Sequence, residues 1–109
     1  MNDMNLLSRW EEVYLLSILE LKDNAYGVSI RKKLSEKARK ELSYGSLYFS
    51  LGQLVKKGFV TKKTGEPTSK RGGRRKYYYT LTDDGIKALQ ATYEHQQSLW
   101  KGKSAPISD

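Results

Sequence analysis

The sequence predicts an α+β fold that is mostly α: a helix-turn-helix, then a two-stranded hairpin, then a closing helix. Three observations predict it. Apolar residues recur at helical spacing in four separate segments. The stretch from Phe59 to Leu81 breaks into two β-prone runs around the turn pair Gly72-Gly73. Ser8, Ser43 and Thr82 each stand where a helix needs a side-chain oxygen to accept from a free backbone N–H.

The first helix is expected over Ser8 to Lys22, with Ser8 as cap and Glu11 three residues on, as in a capping box. Val13, Tyr14, Leu15, Leu16, Ile18, Leu19 and Leu21 make it apolar on nearly every side. A helix of that kind needs cover on every side, and a chain of 109 residues has one modest core to offer. One side is therefore expected under the hairpin and another against a second copy of the chain.

Lys22-Asp23-Asn24 reads as a turn. The second helix is expected from Tyr26 to about Ala38, with Val28, Ile30, Leu34 and Ala38 inward and a solvated face of Arg31, Lys32, Lys33, Glu36 and Lys37. Arg39-Lys40-Glu41 then turns into a third helix, which completes a helix-turn-helix. Ser43 caps this helix, Leu47, Leu51, Leu54 and Val55 form its apolar face, and Gly58 ends it after Lys56 and Lys57. Phe59-Val60-Thr61 and Tyr77 to Leu81 are the strands, with Tyr79 turned to the core and Tyr78 free to face outward.

Thr82 caps the last helix, whose first turn carries Asp83 and Asp84 at the positive end of the dipole. Ile86, Leu89, Tyr93, Gln96 and Trp100 follow the three-then-four spacing of a coiled-coil-like seam, half of an expected dimer interface. Residues 101–109 carry Gly102, Ser104 and Pro106 without periodicity, and read as a flexible tail. The expected division is residues 5–82 as the helix-turn-helix and hairpin domain, 83–100 as the dimerisation helix, and 101–109 as tail.

Lys and Arg total 20 against 12 Asp and Glu, a net charge of +8 that favours an acidic partner, most often nucleic acid. The charge is clustered: seven basic residues lie between Lys62 and Lys76 against the single acid Glu66. No cysteine is present, which excludes disulfides, Cys-based zinc sites and a thiol nucleophile. No run spans a bilayer and no signal-peptide pattern opens the chain, so a cytoplasmic protein without a membrane partner is expected. Catalysis is not expected, and neither is a metal or another cofactor. His95 is the lone histidine on a surface position, and Gly72-Gly73 lacks the strand-to-helix setting of a phosphate-binding loop.

A helix fits the major groove of B-DNA and reads base edges there. The candidates on the third helix are Tyr44, Ser46, Tyr48, Phe49, Ser50 and Gln53. Gln53 suits adenine, the serines a base or phosphate, and Phe49 a thymine methyl; Tyr48 suits phosphate or packing equally. In the hairpin, Lys70, Arg71, Arg74, Arg75 and Lys76 are candidate phosphate clamps, which position without specifying.

At these residues the chain resembles the PadR family of transcriptional regulators, and within it the short subfamily with a single C-terminal helix. Three pieces carry the resemblance in order: Tyr26-Gly27 with Ile30 and Leu34; Gly45-Ser46-Leu47-Tyr48 with Leu51, Leu54 and Gly58; and Gly72-Gly73-Arg74-Arg75-Lys76 leading to Tyr79, Leu81, Thr82 and Gly85. The resemblance implies a winged helix-turn-helix homodimer on a pseudo-palindromic operator in double-stranded DNA, usually a repressor, released in some members by a small-molecule inducer. Phe49 replaces a proline frequent in the family, Gln53 and Val55 replace an arginine and an acid, and the tyrosine strand carries one extra residue. The operator sequence therefore does not transfer. Short members similar to this chain carry a tryptophan lining a pore at the dimer centre. Trp10, Tyr14, Ile86, Leu89, Tyr93 and Trp100 are the corresponding set for a dimer core or ligand pocket, and both uses stay open. A winged-helix module for protein or RNA contacts, without an operator, is the alternative from another class.

Overall fold

The computed structural model describes residues 6–65 and 76–103. The chain runs α1 (Arg9–Leu21), a 3-10 turn (Lys22–Asn24), α2 (Gly27–Ala38), α3 (Tyr44–Lys56), β1 (Val60–Thr64), β2 (Tyr77–Leu81) and α4 (Asp83–Trp100). Mostly helical with one two-stranded antiparallel sheet, this is the winged helix-turn-helix that the sequence predicts. No helix among the described residues is long and apolar enough to cross a membrane.

The expected caps form. Ser8 Oγ accepts from the Glu11 N–H at 3.1 Å while Glu11 Oε1 accepts from the Ser8 N–H at 2.9 Å, a closed capping box. Ser43 Oγ accepts from Ser46 N–H and Thr82 Oγ1 from Gly85 N–H. Arg39, in the left-handed region at φ 60°, ends α2, and Gly58 at φ 84° makes the turn from α3 into β1.

The core lies where α1, α2, α3 and β2 meet, with Leu15, Ile30, Leu34, Leu47 and Leu51 fully enclosed. Two residues depart from the expected burial. Val28 is 56% exposed, because the buried line Gly27–Ile30–Leu34 runs along the opposite side of α2. Tyr14 is 2% exposed and belongs to the core, which removes it from any surface that a second copy can reach.

The hairpin pairs Val60 with Leu81 and Thr64 with Tyr77, so β1 runs three residues further than Phe59-Val60-Thr61 suggests. Tyr79 turns inward as expected, and its N–H donates to Ala25 O at 2.9 Å. Tyr78 does not face freely outward: it is half-buried, edge-on to Tyr26 at 5.6 Å. The sheet is thereby stitched to the segment that opens α2.

α4 packs on its own chain through small residues, Gly85, Ala88 and Thr92. Thr92 Oγ1 accepts from the Leu7 N–H at 2.9 Å, and Gln96 Nε2 donates to Glu12 Oε1 at 3.1 Å. Gln96 is therefore engaged within the chain. Ile86, Tyr93 and Trp100 are left 40%, 60% and 52% exposed.

Candidate nucleic-acid interface

α3 buries Leu47, Leu51 and Leu54 at helical spacing, which turns Gly45, Phe49, Gly52 and Lys56 to the opposite side. The six candidate side chains fall into three groups around this axis.

On the flank toward α2, Tyr44 and Tyr48 stack at 6.2 Å, and the Arg31 guanidinium lies 4.6 Å over the Tyr44 ring. Arg31 Nε also donates to Leu42 O, so this arginine holds the helix-turn-helix corner together. The Tyr48 hydroxyl occupies the space that a Cβ at position 27 would need, 1.9 Å from it, which explains the glycine there. Tyr48 therefore packs, while its ring edge stays in solvent.

On the flank toward α1, Ser50 is half-buried beside the Tyr14 phenol. Burial pushes the Tyr14 pKa up, and the Ser50 contact offsets part of that shift. Gln53 is exposed at the rim of a cleft of about 240 Å³ shared with Trp10, Glu11 and Lys57. The Lys57 ammonium donates to Glu11 Oε2 across this rim. Burial raises the Glu11 pKa, but the Lys57 and Ser8 hydrogen bonds outweigh it and hold the carboxyl below its usual value.

The remaining two are exposed: Ser46 on the same flank of the helix as Gln53, and Phe49 pointing straight out. Phe49 is 68% exposed, more than any other large apolar residue described.

Of the hairpin clamps, Lys70, Arg71, Arg74 and Arg75 lie outside the described residues. Lys76 is exposed and stands 4.2 Å over the Tyr26 ring, and Lys62 stands 4.3 Å over Tyr77. Aromatic rings thus hold two cations on the described part of the hairpin, Lys76 beside the start of α2 and Lys62 on the strands themselves. Lys33 and Lys37 are paired with Glu20. The roles of Arg31, Tyr26 and the Glu11–Lys57 pair escape the sequence reading, because each depends on a partner from another element.

The aromatic set expected at one dimer-centre pocket is divided. Trp10 and Tyr14 meet edge-on at 5.7 Å on the α3 side of α1. Leu16 and Leu19 of α1 instead line a groove of about 510 Å³ with Ile86, Leu89 and Tyr93 of α4. Trp100 lies beyond that groove, at the end of α4. No group of His, Cys, Asp and Glu able to hold a metal ion occurs among the described residues.

The profile of the Transcriptional regulator PadR-like family matches residues 15–91. H. salinarum RosR, in a structure of its complex termed RosR-SG, superposes with a TM-score of 0.73 at 28% identity, covering 94% of this chain and 84% of RosR. A PadR family transcription regulator from hypervirulent Clostridium difficile gives 0.61 at 29% identity, over 84% of this chain and 92% of that one. A PadR-like regulator from Bacillus cereus, at 22% identity and a TM-score of 0.64 over 84% of each chain, shares the fold. No curated protein matches the sequence significantly.

Proposed function

The chain belongs to the PadR-like family of transcriptional regulators, and from that premise we propose that it is a dimeric, sequence-specific repressor. In this reading α3 enters the major groove of an operator with two half-sites about one helical turn apart. The hairpin clamps the flanking phosphates. A flat apolar compound held between the two Trp100 side chains of the dimer releases it.

The observation that carries the reading is the outward face of α3, exposed on a chain whose hairpin also exposes the cations Lys62, Lys63 and Lys76. Those cations match the polyanion that an inserted helix would have to approach, and phosphate contacts fix its register. The groove between α1 and α4 supports a dimer, because its apolar lining is what a second copy would cover.

Binding to duplex DNA at a series of salt concentrations tests the clamp. Each phosphate that is neutralised contributes about 0.9 to the log–log slope. Arg74→Ala with Arg75→Ala is expected to flatten that slope by close to twice this amount per protomer, and an unchanged slope would refute the clamp. For the ligand, a planar cationic dye is expected to quench tryptophan emission in a Trp10→Phe protein, where Trp100 is the only tryptophan left. Absence of quenching would refute the Trp100 site.

A further inference from the structure

We infer that Phe49 sets the base preference of α3 by packing on thymine C5-methyl groups, with Gly45 and Gly52 letting the helix backbone approach the groove floor. The inference rests on the proposed docking of α3 in DNA and names what that helix reads.

Three of the six candidate side chains have other engagements, and a fourth lies off the centre of the outward face. Tyr44 is stacked between Arg31 and Tyr48, and Tyr48 is wedged against Gly27. Ser50 faces Tyr14, and Gln53 sits at the cleft toward α1, off the centre of the outward face. Phe49 is at that centre, 68% exposed, with no aromatic or cationic partner among the described residues. The thymine methyl is the one apolar group that a base pair offers in the major groove. A phenyl ring matches it.

The two glycines on the same face point the same way. A Cβ at Gly52 would meet nothing within 4 Å, and at Gly45 only Ser43 Oγ at 4.0 Å. Neither glycine answers a packing need inside the chain, unlike Gly27 and Gly85. A helix-interior glycine destabilises the free protein relative to alanine. Removing side-chain bulk on both sides of Phe49 instead lets the ring and the backbone move inward together.

The intact protein is used to select a binding site from a random duplex pool, and thymines of that site are then replaced by uracil. This removes a methyl and leaves every hydrogen-bonding group in place. Loss of contact with one methyl is expected to weaken wild-type binding about fourfold, the equivalent of roughly 0.8 kcal/mol. The Phe49→Ala protein, which should fold normally because the ring is exposed, is expected to bind both duplexes alike. Gly52→Ala is expected to melt at a higher temperature than wild type yet bind the selected site severalfold more weakly, a combination that a purely structural role does not produce. A selected site whose affinity ignores uracil substitution, or a Phe49→Ala protein that stays as sensitive to it as wild type, would overturn the inference and leave the DNA-reading role standing. So would a Gly52→Ala protein that binds as tightly as wild type, for the glycine part. Failure to select any sequence would overturn both.

Discussion

Glu11 serves two elements with one carboxylate. One oxygen closes the capping box of α1, and the other accepts from Lys57 just past the end of α3. Because its folded pKa lies below the unfolded value, its contribution is complete above that value, near 4.5, and is lost as pH falls through the folded pKa. Glu11→Gln is expected to lower stability at neutral pH by about 1 kcal/mol or less, given the exposure of the pair. It should also remove the acid-side loss, as chemical denaturation between pH 3 and pH 7, values chosen to bracket the transition on the scale of roughly a carboxylate's titration, would report. Tyr79 sets the opposite limit. Burial pushes its phenol up, reinforced by the neighbouring Tyr48 and Tyr77, so its stabilisation holds below about 10 and fades as pH rises through the folded value. Tyr79→Phe is expected to reduce the alkaline loss of stability, as the same denaturation measurement extended above about pH 10 would report. The Ser8–Glu11 box is legible in the sequence, since its partners are three residues apart. The Glu11–Lys57 pair, 46 residues apart, is not.

Glycines separate the elements by what surrounds them. At Gly85 a Cβ would stand 2.2 Å from the Phe59 carbonyl oxygen, a backbone atom that cannot swing aside. Gly85→Ala is therefore expected to separate α4 from the β1 end of the hairpin, at a cost of about 1–3 kcal/mol. Gly52→Ala adds a methyl into open space and is expected to stabilise by about 1 kcal/mol. Thermal melts of the two variants should move in opposite directions, and the same sign for both would contradict the packing described. The elements themselves were largely readable, because Ser43, the Leu47/Leu51/Leu54 spacing and Gly58 mark α3 from cap to stop within its own sequence. Val28 and Tyr78 were not readable. Which side of α2 is buried, and where the face of β2 meets Tyr26, depend on contacts between elements that periodicity cannot assign.

At the scale of the molecule, the apolar groove between α1 and α4 is left uncovered among the described residues. α4 uses Gly85, Ala88 and Thr92 to lie on α1, and so presents Ile86, Leu89 and Tyr93 beside Leu16 and Leu19. The sequence pattern predicts such a seam over Ile86, Leu89, Tyr93, Gln96 and Trp100; within the chain Gln96 turns back to Glu12, while Tyr14 of α1 drops into the core. If a second copy covers the groove, Tyr93→Glu should leave the fold intact and convert the protein to a monomer in sedimentation equilibrium. A dimer that survives Tyr93→Glu and Ile86→Glu together would place the interface elsewhere.

Selection of duplexes from a random pool by the intact protein, followed by sequencing, tests most directly whether α3 and the hairpin read DNA as a symmetric pair. The expected result is enrichment of an inverted repeat with half-site centres roughly 34–36 Å apart, bound by two copies of the chain. Tight, salt-sensitive binding that enriches no sequence would contradict it.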